Sequence, residues 1–401
     1  MVRKITGTLP TFTCLYSNEG RLMNICRTRA VLAFLLLPCM MLAQEPSDPG
    51  AKTSLAPKYS NEFLKIGIGA RAFGMGSTQA AIANDVTAGY WNPAGLAAAG
   101  GVAFPEVALM HAAYFANIAA YNYAGFAMPV DSAGRRRFAA TLIRMGVDDI
   151  PNTLQLVRPD GTIDYGEVSS FSETQLAALL SYAWQVEAVP GLSLGTNVKI
   201  IYRGVGRFAN AWGFGLDLAA HYRSPANGRF QAGLVLLDAT NTFNAWTFNT
   251  ETFEEAFLLT GNEVPQYSIE LTRPALRTGL AYDFALARRL SLLVSADADL
   301  TFDGARSSVL LRGGAVSLDP RLGLELAYLN SQYRRVAFLR AGMYNIQRLV
   351  DIDGNAFTGV FPTAGVGVVL KNFQLDYALA NIGNLSENLH SHVVSLKFHI
   401  Q

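Results

Sequence analysis

The 401-residue chain has little charge, little cysteine and no long apolar run beyond its N-terminal region, and each shortage excludes something. Charged residues make up 16% of the chain, against about 25% in ordinary soluble domains. The 32 basic and 31 acidic residues nearly cancel, so there is no electrostatic footprint for nucleic acid. The cysteines are Cys14, Cys26 and Cys39, all near the N-terminus. The rest of the chain can hold neither a disulfide framework nor a thiolate metal site. After residue 43 no segment reaches 18 consecutive apolar residues, too few for a membrane helix. Ser, His and Asp are scattered rather than grouped, and the chain is read as not an enzyme, with no cofactor.

What the chain has is apolar content of 50%, 36 glycines and period-2 alternation. In Leu192 to Arg203, Leu192, Leu194, Thr196, Val198, Ile200 and Tyr202 share one face, and Ser193, Gly195, Asn197, Lys199 and Arg203 the other. Trp212 to Arg223, Leu290 to Leu300, Phe373 to Leu379 and the C-terminal Val394, Leu396, Phe398 and Ile400 repeat the pattern. Segments of about 10 residues, apolar outside and polar inside, are the signature of a transmembrane β-barrel. Tyr202, Trp212, Tyr222, Tyr282 and Tyr328 fall at strand ends, where interfacial girdles belong.

Candidate strands number about 14, the last near 391–400. Short links at 131–136, 188–190, 224–228, 285–289, 331–334 and 371–372 alternate with longer ones, among them 147–172, 240–273, 302–320 and 347–360. Short turns are periplasmic and long loops external in outer-membrane barrels, so both ends of the barrel are expected on the periplasmic side. The expected fold is all-β, a transmembrane antiparallel barrel of about 14 strands with an N-terminal plug.

Arg27 and Arg29 precede the apolar run Ala30 to Ala43, the pattern of a secretory signal peptide over 1–43. Met23 is a plausible true start. Cys39 raises a lipoprotein reading, but Pro38 stands where lipidation needs a small residue. A polar periplasmic tail is expected at 44–62, a plug at 63–103 and the barrel at 104–401.

The plug stretch, FLKIGIGARAFGMGSTQAAIANDVTAGYWNPAGLAAA, is Gly-rich in front, Ala-rich in the middle, and closes on Asn92-Pro93-Ala94-Gly95. Glycine permits tight bends and close approach, and the residue before proline is pushed out of the helical region. The expected plug or gate residues are Gly74, Gly76, Asn92, Pro93 and Gly95. ARAFGMGSTQAAIANDVTAGYWNPAGLA resembles the N-terminal region of the PorV/PorQ family of outer-membrane proteins. More distantly it resembles the FadL family of hydrophobic-compound channels, with their Asn-Pro-Ala motif in an N-terminal hatch. NVKIIYRGVG and the closing LDYALANIGNLSENLHSHVVSLKFHI extend the likeness. The resemblance implies location in the cell outer membrane, in contact with its lipid.

Other motifs have plainer readings. GIGARAFGMG has phosphate-loop glycine spacing, but no Lys-Ser/Thr follows. Asp351, Asp353 and Asn355 open like a calcium loop, but the glycine is misplaced and Pro362 stands where the bidentate Glu belongs. His111, His221, His390, His392 and His399 form no metal set. Lys199, Asp217, Asp297, Asp299, Glu325, Arg340, Asp376 and Lys397 are expected in the lumen, where their mixed signs suit a network holding the plug. Segment 240–273 gathers Phe243, Trp246, Phe248, Phe253 and Phe257 in what reads as an external loop for a partner or ligand.

Two functions follow, the first as the main reading and the second as its alternative. The PorV/PorQ resemblance implies assistance to type IX secretion and surface attachment, with secretion-system components and cargo proteins as partners. The FadL resemblance implies a channel for uptake of a hydrophobic small molecule.

Overall fold

The computed structural model describes residues 60–114, 118–158, 160–254, 267–302, 311–313, 316–350, 356–380 and 391–400. The expected signal peptide, the tail through residue 59, Asp351, Asp353, Asn355, His390 and Phe257 lie outside these residues.

The alternating segments form antiparallel strands: β1 (Glu106–Tyr114), β2 (Ala119–Pro129), β3 (Arg136–Asn152), β4 (Ser169–Gln185), β5 (Leu192–Val205), β6 (Ala209–Arg223), β7 (Phe230–Leu237), β8 (Thr242–Phe248), β9 (Tyr267–Thr272), β10 (Ala275–Ala287), β11 (Leu290–Thr301), β12 (Leu311–Gly313), β13 (Val316–Leu329), β14 (Arg335–Val350), β15 (Ala356–Leu370), β16 (Phe373–Ala380) and β17 (Ser391–His399). The sheet closes where β17 meets β1, with Leu396 opposite Leu109. The 17 segments make 14 passes. β7 and β8 share one pass and β9 and β10 another, while β12 only flanks the start of β13. Closure leaves no free edge strand among the described residues, the condition for a sheet to live in lipid.

Alternate residues face in and out. In β5 the inward Ser193, Asn197, Lys199 and Ile201 are buried, while the outward Val198 is exposed. Leu142, Leu280, Leu339 and Leu375 are likewise apolar and exposed, as a lipid-facing wall requires. Tyr202 packs on Trp212 towards one rim, rings 5.1 Å apart, and Tyr282–Phe284 and Phe373–Phe398 pair towards the other. Links at that second rim are short: 130–135, 186–191, 224–229, 288–289, 330–334 and 371–372. Short links are the mark of the periplasmic rim in outer-membrane barrels.

The expected external loop at 240–273 is corrected. Thr242–Phe248 and Tyr267–Thr272 are strands, paired with each other and, through β8, with β6. Their Thr, Phe, Trp, Tyr and Ile content suits a pleated wall. The links expected at 147–172, 302–320 and 347–360 also shrink, because β3 runs to Asn152, β13 starts at Val316, and β14 and β15 reach Val350 and Ala356.

One place in the wall is irregular. Between the pairs Leu236–Leu218 and Phe243–Phe214, six residues (237–242) stand opposite three (215–217). On the other side, residues 238–241 stand opposite 273–274. The ladder is interrupted on two neighbouring passes at one level. Asp238 and Asn241 take left-handed backbone there, φ 53° and 57°, a region these two residue types tolerate.

Residues 60–104 pack against the inward wall. They form a short 3₁₀ turn (Glu62–Lys65), α1 (Ala70–Gly74), α2 (Ala88–Trp91) and a second 3₁₀ turn (Pro93–Ala97). Phe63, Ile68, Phe73, Trp91 and Leu96 share one buried cluster with Met110, Tyr121, Tyr123, Ile143, Leu179 and Ile201. The main hydrophobic core thus lies where this segment meets the inner faces of β1 to β5.

Candidate functional site

The site is the contact between the inner segment and the wall, with the wall interruption beside it. Between Lys65 and Glu106 the only charges are Arg71 and Asp85. A buried charge needs a partner, and both find one on the wall. Arg71 Nε and Nη2 reach Glu325 Oε2 and Oε1 at 2.9 and 3.0 Å. Glu325 also accepts from Arg340 Nε (2.8 Å), and Arg340 Nη1 donates to Asp376 (2.7 Å). Lys397 donates to Asp85 at 2.6 Å. Burial alone would raise the Asp85 carboxyl, but Lys397 and Arg71 outweigh it and hold it below the usual carboxylate range.

Backbone groups are held too. The carboxylate of Asp297 accepts from the N–H groups of Gln79 and Ala80, both at 2.7 Å. Ser395 accepts from Ala70 N (3.0 Å), and His221 Nε2 donates to the Ala81 carbonyl (2.8 Å). Arg277 and Arg321 clamp Asp299, at 2.9 and 2.8 Å, and Arg277 lies 5.0 Å from the Trp91 ring. Trp91 is fully buried, its indole N–H on the Ile68 carbonyl at 3.0 Å.

Each residue singled out in the plug stretch has a definite place. Gly74 ends α1, where a Cβ would sit 3.0 Å from Gly365 Cα. Gly76 has φ 61°, and its N–H donates to Thr363 Oγ1 at 3.1 Å. A Cβ there would lie 2.6–2.8 Å from backbone atoms of Met343 and Leu322. Asn92 is buried and donates to the Ala80 carbonyl at 2.6 Å, while its Oδ1 accepts from Ala94 N at 3.1 Å. It thereby caps the 3₁₀ turn that Pro93 opens. Gly95 lies against the Ala83 carbonyl, leaving no room for a Cβ.

Of the described aromatics of 240–273, Trp246, Phe248 and Phe253 line one hollow with Leu154, Val205 and Phe208, and Phe243 stands apart from them. Phe243 faces outward and packs on Phe214, rings 5.9 Å apart. Trp246 donates to Glu270 (2.9 Å) and lies 4.9 Å from the Arg203 guanidinium. Phe248 faces inward with Trp246, rings 6.3 Å apart, and Phe253 is buried. The lumen charges do form a network: besides the pairs above, Lys199 is buried between Asp217 (2.7 Å) and Asp238. Gly191 to Gly195 fits a G-x-S-x-G pattern that the reading of scattered serines overlooked. It runs from a turn into β5, and Ser193 donates to the Ala94 carbonyl at 2.8 Å, so it is a wall contact and not a nucleophile elbow.

The residues that sequence reasoning missed are Arg71, Asp85, Arg277 and Arg321. Isolation was the available signal for the first two, two charges in an otherwise uncharged stretch. The wall interruption was missed as well. Beside it lies a cavity of about 60 Å³ lined in part by Asn61, Leu64, Tyr90, Leu179, Leu237 and Pro274. Asn61 Nδ2 donates to Thr272 Oγ1 at 2.9 Å, which places the start of the inner segment at the interruption.

No protein-family model matches the chain, and no curated protein does. Solved structures do. The Pseudomonas putida toluene transporter TodX aligns at 14% identity over 83% of this chain and 98% of its own, with TM-score 0.51. A second TodX structure aligns at 15% identity over 84% and 99%, with TM-score 0.50. The Ralstonia pickettii toluene transporter TbuX aligns at 14% identity over 84% and 99%, with TM-score 0.48. At such identities the likeness speaks to the fold, and the chain has the closed 14-pass β-barrel fold of outer-membrane proteins.

Proposed function

We propose that this barrel is a channel for hydrophobic small molecules in the outer membrane, with residues 63–103 as its plug. The observation that carries the reading is the aligned interruption in two wall passes, 238–241 and 273–274, beside a small internal cavity whose lining mixes Leu64, Tyr90, Leu179 and Leu237 with the charged Lys199, Asp217, Asp238 and Arg277. A hydrophobic solute gains by staying out of water, and a weak place in the wall offers it lipid instead of the periplasm. The fold shared with TodX, described as a toluene transporter, agrees with this reading. The plug is tethered by ion pairs and small-residue contacts, a set of links that can be released and remade.

The type IX secretion reading rests on the PorV/PorQ resemblance and would use the 240–273 aromatics as its docking surface. Phe243 lies on the outer wall, while Trp246, Phe248 and Phe253 line a hollow on the inner side, so the conduit has the stronger support. The test is uptake by a Gram-negative host expressing the barrel. Radiolabelled toluene should enter faster than in cells with empty vector, while a polar sugar should not. Equal toluene uptake in both strains overturns the proposal.

A further inference from the structure

The outer wall carries a feature that transport does not use. Across β17, β1, β2 and β3, two adjacent outward rows are fixed by strand register. The lower row is Leu396–Leu109–Ala124–Leu142, and the row above it is Val394–His111–Asn122–Arg144. The lower row is apolar. The upper one ends in an arginine on a surface that is otherwise hydrophobic, as the outward Leu176, Ala178 and Leu180 of β4 and Val198 and Ile200 of β5 show. Together the rows line a shallow groove of about 510 Å³, because Ala124 is small between Leu109 and Leu142.

The polar row is incompletely satisfied. His111 Nδ1 and Asn122 Oδ1 are 2.8 Å apart. Among the described residues no carboxylate or hydrogen-bond acceptor meets the Arg144 guanidinium. It lies instead over Gly146, where a Cβ would sit 3.0 Å from its Nη2. The arginine therefore runs along its strand towards the extracellular rim, the direction a lipid-facing cation takes to reach an interface. Followed across β4 and β5, its row continues through Leu176 to Tyr202 and Trp212, the aromatic pair at that rim.

We propose that this groove binds a phosphorylated lipid of the outer leaflet. The headgroup phosphate would take Arg144 and the His111–Asn122 pair, and an acyl chain would take the Leu396–Leu109–Ala124–Leu142 row. A lone cation in an apolar wall is costly unless an anion meets it. The anion available at that depth is a lipid phosphate, and arginine suits phosphate through its forked donors.

The test uses the full barrel in a neutral detergent, with bound lipid read by native mass spectrometry. The probes are diphosphoryl lipid A, a diacylglycerol of similar chain length and inorganic phosphate. Lipid A should be retained and diacylglycerol not. Arg144→Gln should weaken retention about fivefold, the weight of one arginine at an anionic lipid surface. Arg144→Lys should keep most of it, and Ala124→Phe, which fills the groove, should reduce it. Removing a charge from the lipid face does not threaten insertion, and the gel-mobility shift of the folded barrel checks this. Equal retention of lipid A and diacylglycerol overturns the proposal, as does unchanged binding by Arg144→Gln. Full displacement by millimolar inorganic phosphate would make the site a free-anion site and also overturn it. A dimer lost on Arg144→Gln would make the groove an interface between copies.

Discussion

Arg71 and Glu325 meet in a two-pronged ion pair, 254 residues apart in the chain, at 2.9 and 3.0 Å. The pair ties α1 of the inner segment to β13. Glu325 is shared with Arg340, so the two partners are not equivalent. Glu325→Gln strands the Arg71 guanidinium and leaves Arg340 with Asp376 alone, and should destabilise the folded barrel by about 3–5 kcal/mol. Arg71→Gln leaves Glu325 paired with Arg340 and should cost less, while freeing the segment. Thermal unfolding in detergent ranks the two, and proteolysis within residues 60–104 reports release. A larger loss from Arg71→Gln would contradict the shared-carboxylate geometry.

Gly76 permits a close approach of the segment to the wall. Its positive φ and the Met343 and Leu322 backbones around it exclude a side chain. Gly76→Val should displace the segment yet leave the barrel inserted, because strand pairing does not depend on it. Gly74→Ala is a milder control, at the tight edge of contact with Gly365. Labelling of a cysteine placed at Gln79 measures the displacement. Protection as strong as in the parent would refute it.

Much of this was legible in the sequence. Alternation in Leu192 to Arg203 gave a strand, its facing and the inward Lys199, because a period of two has one physical meaning in a barrel. The Gly-rich, Ala-rich stretch declared a close-packed segment. What failed was 240–273. There Asp238 and Asn241 interrupt the alternation, and a strand resuming beyond a bulge looks like a loop carrying aromatics. Partners such as Arg71 with Glu325 are set by register between distant strands, which no local pattern encodes.

Asp85 gives a pH dependence. Its carboxyl is depressed in the folded protein, so its contribution is full above the unfolded carboxylate value, about 3.9. The contribution declines below that as the pH falls towards the folded value. The Asp85 part of segment release, taken as the difference in proteolysis between the parent and Asp85→Asn, should therefore appear below about pH 3.9. Asp85→Asn should loosen the segment at neutral pH and flatten the acid response. A parent and an Asp85→Asn variant with the same acid response would contradict the Lys397 pairing.

Lys199 holds the wall interruption by joining Asp217 to Asp238. Lys199→Met leaves two buried aspartates unpaired and should destabilise by about 3–5 kcal/mol. Lys199→Met with Asp217→Asn and Asp238→Asn should recover most of that loss. Unfolding midpoints of the single and triple variants decide it. A triple variant no better than the single would mean the lysine acts through packing alone.

The most direct measurement is toluene uptake by a variant whose inner segment can be locked to the wall. Gly89→Cys with Ala139→Cys suits this, since a Cβ at Gly89 in α2 would lie 3.4 Å from the Ala139 Cβ of β3, near the span a disulfide bridges, and the chain beyond Cys39 has no cysteine to compete. Oxidised cells should take up toluene no faster than cells lacking the barrel, and reduction should restore uptake. Equal uptake in the oxidised and reduced forms would contradict a channel gated by residues 63–103.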